Sequence, residues 1–262
     1  MRQIVVTAAL AALCAPTWAA DNKEPNPQEI IQKFAAKEAE FREARNNYTY
    51  RQSVKIQILD AGGNPTREKW EEVADIIFTP EGKRMEKVVY APVSTLQSMM
   101  LTPEDLQDLR NVQPFVLTTQ DIPEYDISFE GREKIDEIGT YKFVVKPKKI
   151  VTGKRYFAGT VWVDDQDLQI VKTYGKGVGE LKKGSAKDQE FPNFETYREQ
   201  IDGKYWFPTY THANDTLKFK TGPIRMSMTV KYQDYKRYEG KSTIRYGDVV
   251  DEKTDTPPTK KK

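Results

Sequence analysis

Residues 48–58 read Tyr48-Thr49-Tyr50-Arg51-Gln52-Ser53-Val54-Lys55-Ile56-Gln57-Ile58, and they alternate with a period of two. Tyr50, Gln52, Val54, Ile56 and Ile58 fall on one side, and Thr49, Arg51, Ser53, Lys55 and Gln57 on the other. Successive side chains of an extended chain point to opposite faces, so this stretch is a half-buried strand. Working outward, Ala61-Gly62-Gly63-Asn64-Pro65 turns the chain into a second strand through Trp70, Ala74, Ile76 and Phe78. Pro80-Glu81-Gly82 then precedes a third, from Met85 to Tyr90. Turn residues so placed join consecutive antiparallel strands.

On the N-terminal side the period is helical. Asn26 caps, Pro27 suits the first turn, Glu29 completes a capping-box-like pattern, and Ile30, Phe34 and Phe41 share a face of a helix ending near Asn46. That stripe is expected to pack on the sheet. On the C-terminal side the alternation stops between Ala91 and Leu117. There Ser98-Met99-Met100-Leu101 leads into Thr102-Pro103-Glu104-Asp105, a cap and first turn for a short helix through Leu109.

Strands resume after Pro123 at Tyr125, Ile127 and Phe129, then at Tyr141, Phe143 and Val145, then from Tyr156 to Val163. Asp164-Asp165-Gln166-Asp167 reads as a polar turn into Leu168 to Tyr174, and Gly175 to Glu190 as a charged, glycine-containing loop. Phe194 to Ile201 and Lys204 to Thr211 form a hairpin about Asp202-Gly203. Ile224, Met226, Met228, Val230 and Tyr232 alternate most cleanly of all. The chain is therefore mainly β with a few helices: a large curved sheet whose apolar face needs a cover. The helix from Pro27 and the Met99 to Leu109 segment are the available covers.

The first residues carry Arg2, an apolar run from Ile4 to Ala15, and Pro16-Thr17-Trp18-Ala19-Ala20 before Asp21, the order of a secretory signal peptide. The run is shorter than the ~20 residues that span a bilayer. The expected plan is a signal over residues 1–20, one β domain over 21–250, and a disordered basic tail over 251–262 with Pro257-Pro258 and Lys260 to Lys262. The mature protein is expected in the periplasm, with cleavage after Ala19 preferred. Acylation at Cys14 is the alternative, and Leu13 before it fits poorly because that residue is normally small. With Cys14 removed, no disulfide, thiol nucleophile or thiolate metal site is expected.

The 41 Lys and Arg nearly cancel the 39 Asp and Glu, leaving a formal net charge of +2 and no sustained field to recruit nucleic acid. The single histidine, His212, has no serine or carboxylate motif around it and reads as structural. Asp164, Asp165 and Asp167 lack the glycine and distal glutamate of an EF-hand loop, so a hairpin turn explains them better. Gly175-Lys176-Gly177-Val178-Gly179 is followed by Leu181-Lys182-Lys183-Gly184-Ser185, which is no helix, so the dinucleotide reading lacks its context. Carboxylates are plentiful enough that a secreted hydrolase stays formally open. Neither a cofactor nor a metal is expected.

The order of elements resembles the periplasmic lipoprotein-carrier superfamily of LolA-type sorting proteins. Local stretches are similar as well: Gly139-Thr140-Tyr141-Lys142-Phe143-Val144-Val145, Gly159-Thr160-Val161-Trp162-Val163-Asp164 and Gly203-Lys204-Tyr205-Trp206-Phe207-Pro208. The resemblance implies an incomplete antiparallel β-barrel closed by an N-terminal helix and a helical lid around an apolar cavity. It further implies a non-catalytic binder of lipid or lipoprotein acyl chains, soluble with transient membrane contact. The ligand-binding residues expected are Met99, Met100, Leu101, Leu106 and Leu109, with Arg51 as the candidate for the family's lid-sealing arginine. The longer chain and its charged loop near Lys182 leave a second reading, an envelope-protein interaction or stress-sensing module of the same fold. A cavity under the lid distinguishes the first from the second, and paired buried carboxylates in a cleft would mark the hydrolase.

Overall fold

A computed structural model describes residues 26–79, 81–180 and 191–237. The proposed signal peptide and basic tail lie outside these residues. Helix α1 (Pro27–Arg45) leads into strands β1 (Tyr48–Leu59), β2 (Pro65–Phe78) and β3 (Arg84–Tyr90). A short helix α2 (Pro103–Gln107), a π-helical turn (Asp108–Val112) and a 3-10 turn (Ile122–Glu124) follow. Seven more strands complete the sheet: β4 (Tyr125–Ile135), β5 (Ile138–Pro147), β6 (Tyr156–Asp164), β7 (Ile170–Val178), β8 (Phe194–Ile201), β9 (Tyr205–Phe219) and β10 (Gly222–Arg237).

All ten strands form one antiparallel sheet in the order β3-β2-β1-β10-β9-β8-β7-β6-β5-β4, which is not closed into a barrel. β1 to β3 build one edge by hairpins, the chain crosses to the other edge, and β4 to β10 meander back until β10 pairs with β1. Val54 sits opposite Val230 and Ile56 opposite Met228, so the two cleanest alternations in the sequence face one core.

α1 lies on the inner face. Asn26 Oδ1 accepts from Gln28 N, while Glu29 pairs with Lys33 one turn on rather than closing a capping box. Ile30, Ile31, Phe34 and Ala35 are buried in the main core, with Phe34 5.5 Å from the Phe143 ring. Phe41 meets Phe207 edge-on in a satellite cluster. Between them the fully buried Glu38 accepts from Arg198 Nη1 and from the backbone N–H of Ile170. Burial pushes the Glu38 carboxyl up, with Arg198 and the Ile170 bond opposing.

One element differs from its expectation. Gly175 and Gly177 belong to β7 rather than to a loop. Gly175 sits opposite Gly159, where a Cβ on either would fall within 2.3 Å of a backbone oxygen of the facing strand. Two glycines let the strands approach that closely, and glycines in a strand interior mark such approaches.

Candidate functional site

The crossing from β3 to β4 forms the second cover. Its lead-in is extended: the Thr95 N–H donates to Lys69 O, and the Glu68 carboxylate accepts from the N–H groups of Gln97 and Ser98 and from the Ser98 hydroxyl. These bonds hold the Glu68 carboxyl below the ordinary glutamate value. Thr102 then caps α2 in a full capping box with Asp105. No residue of α2 is buried. The π-helical turn after it buries Asp108, Leu109 and Val112.

Polar contacts fasten this lid at several strands. Asp108 accepts from Arg155 Nε at 2.8 Å and Nη2 at 2.6 Å, an ion pair almost wholly buried. Burial pushes the Asp108 carboxyl up and Arg155 opposes it. Arg110 binds Glu86 of β3 through Nε and Nη2 at 2.8 and 2.9 Å. Gln113 donates to Met228 Sδ and accepts through its carbonyl from Thr196. Arg198 donates to the Phe115 carbonyl, and the Phe115 ring stacks on Phe157 at 4.5 Å.

A mainly apolar space lies under the lid, walled by Met99, Leu101 and Leu109 from the lid and by Ile56, Leu217, Met226 and Met228 from the sheet, with Phe191 and Phe194 beside them. Asp105, Asp108 and Gln113 border it from the lid; Asp105 is held in the capping box and Asp108 by Arg155. Its volume is about 30 Å³. That is roughly the share of one water molecule in the liquid. In this state the lid residues themselves fill the interior.

Met99, Leu101 and Leu109 thus converge on one space. Leu106 packs against the core without lining that space. Met100 is 84% exposed, because the lead-in is extended and alternates: Met99 and Leu101 turn inward and Met100 outward. Arg51 lies on the outer face of β1, where its Nε donates to Asp75 Oδ1 at 2.8 Å, and it is not among the residues that line the space. The arginines that hold the lid are Arg155, Arg110 and Arg198. Arg155 had a legible signal in β7, for Gly177 leaves the room it uses: a Cβ there would lie 2.0 Å from Asp108 Oδ2 and 2.8 Å from Arg155 Nη2.

The other candidate residues have structural placements. His212 stacks between Tyr197 and Tyr210 on the outer face, 3.6 Å from Glu195. Asp164 Oδ1 accepts from the N–H groups of Gln166 and Asp167, closing the β6–β7 turn. Among the described residues no group of three or more His, Cys, Asp or Glu side chains is placed to hold a metal. No helix among them is long and apolar enough to cross a membrane.

No protein-family model matches the chain, and no curated protein matches it. Among solved structures it is similar to a DUF1329 family protein from Desulfovibrio piger at 14% identity and a TM-score of 0.41, covering 83% of this chain and 96% of that one. It is similar to a LolA superfamily protein from Nitrosomonas europaea at 14% identity and a TM-score of 0.33, over 80% of this chain and 93% of that one. A third similar structure is the Mycobacterium tuberculosis lipoprotein LppX, at 10% identity and a TM-score of 0.24, over 80% and 96% of the two chains.

Proposed function

We propose that the chain is a non-catalytic periplasmic binder or carrier of lipid or lipoprotein acyl chains, which enter under the lid. The observation that carries this reading is the composition of the covered space. Its walls are mainly apolar apart from Asp105, Asp108 and Gln113 on the lid side, three of its side chains are the adaptable methionines Met99, Met226 and Met228, and one wall belongs to the separately fastened lid. An acyl chain displaces Met99, Leu101 and Leu109 and takes their place against β1 and β10. The driving force is burial of methylenes, ~0.8 kcal/mol each, with no bond made or broken. Uptake of a fluorescent fatty acid, together with native mass spectrometry of the protein purified from periplasm, tests it. A wild-type protein that takes up no probe and carries no lipid would falsify the reading.

A second reading has its own observation. Among the described residues β3 is an edge strand, on which Val88, Val89 and Tyr90 are each about half exposed, and the covered space is small as it stands. An exposed apolar edge suits strand addition by another protein. In that reading the interior is an ordinary core and envelope proteins are the partners. Co-purification of a stoichiometric envelope protein without lipid would favour it.

A further inference from the structure

The cleft between β3 and the lid holds more positive charge than its carboxylate can satisfy. It measures about 380 Å³ and is lined by Arg84, Glu86, Arg110 and Asn111. Arg84 meets the Glu86 carboxylate from the same strand, and Arg110 grips that carboxylate from the lid. One carboxylate therefore serves two guanidiniums. Behind them Arg45, at the end of α1, lies with its guanidinium carbon 5.2 Å from the centre of the Phe78 ring, and Phe78 is the register partner of Arg84. Burial holds Arg45 below the ordinary arginine value, and the like charges of Arg198 and Arg84 add to the shift. Arg84 Nη2 donates to Gln52 Oε1 at 2.6 Å, while its Nε is buried with no acceptor among the described residues; Arg45, whose Nε is likewise unpartnered, lies behind the cleft and does not line it. Buried donors left without acceptors are costly, and guanidinium forks match the oxygens of phosphates and carboxylates.

We propose that this cleft seats an anionic head group, a phosphate or carboxylate, of an amphiphile whose acyl chain lies under the lid. The inference rests on the acyl-binding reading above and adds a polar subsite to it. Consecutive residues of the π-helical turn join the two parts: Leu109 faces the apolar space and Arg110 the cleft. In the proposal a single molecule lies across that turn, its charged head in the cleft and its apolar tail under the lid.

Titration calorimetry with decyl phosphate, decanol and inorganic phosphate separates the two readings. The expected result is that the wild type binds decyl phosphate at least about tenfold more tightly than decanol, a difference of about 1.4 kcal/mol. Arg110 is 43% exposed, so Arg110→Gln is expected to fold and to lose that preference, binding decyl phosphate no more tightly than decanol whatever the weakened lid contact does to both affinities. Glu86→Gln removes the competing carboxylate and is expected to tighten decyl phosphate binding. Equal wild-type affinity for decyl phosphate and decanol overturns the anionic subsite and leaves acyl binding standing. Inorganic phosphate bound as tightly as decyl phosphate overturns the amphiphile and leaves a free-anion site. Phosphate binding without either alkyl compound overturns the acyl reading itself.

Discussion

The two covers on the inner face of the sheet are held by different proportions of apolar and polar contact. α1 buries Ile30, Ile31, Phe34, Ala35 and Phe41 around one internal ion pair, Glu38–Arg198. The lid buries nothing from α2, adds Leu109, Val112, Phe115 and Leu117 to the core, and is fastened by the Asp108–Arg155 and Arg110–Glu86 ion pairs and by the Gln113 and Phe115 carbonyls. Apolar contacts tolerate small shifts, whereas these polar contacts exist in one geometry and are lost together once the segment moves. The difference predicts that the lid opens at a free energy below that of global unfolding and that α1 does not.

The largest expected effect breaks the first cover. Phe34→Ala removes a fully buried ring that packs on Phe143 and is expected to cost about 3–5 kcal/mol of global stability, read by denaturant unfolding. Gly177→Ala targets the second cover, since its Cβ would collide with Asp108. It is expected to cost about 1–3 kcal/mol by overpacking. Amide exchange should then quicken over residues 105–113 more than over β1 and β10; uniform quickening would show that lid and sheet are one cooperative unit.

A smaller effect is expected from acid. Glu68 has its folded pKa depressed by the Ser98 and Gln97 bonds, from an ordinary value of 4.5. The stabilisation is therefore fully present above that value and is lost as pH falls through the lower folded pKa. The Gln97 and Ser98 amides should lose exchange protection in that window while β1 keeps its own. Glu68→Gln should remove the transition. The smallest effect belongs to Met100→Asp: an exposed side chain predicts a stability change within about ±0.5 kcal/mol and unaltered probe uptake. Reduced uptake would mean that Met100 turns inward in the loaded state.

Alternation carried most of the fold, because a period of two states both the strand and its buried face. It located Tyr50, Val54, Ile56 and Ile58 inside and, by the same rule, Arg51 outside; only the family analogy drew Arg51 toward the lid. The extended lead-in Met99-Met100-Leu101 obeys the same rule without belonging to a regular strand. The loop expected from Gly175 to Glu190 takes in Gly175 to Val178 of β7, because Gly175 and Gly177 leave the buried positions without a side chain for a period to register. Arg155, Arg110 and Arg198 were invisible as a group, since their partners lie 47, 24 and 160 residues away, at Asp108, Glu86 and Glu38.

The register Tyr48↔Arg237 has a kinetic meaning. β1 cannot acquire its second neighbour until the last described strand is available, and Glu38 cannot meet Arg198 until β8 has formed. Contacts of such long sequence separation close slowly, because chain entropy is lost before they form. A polypeptide threaded outward from its N-terminus therefore stays unlocked until nearly all of it has emerged.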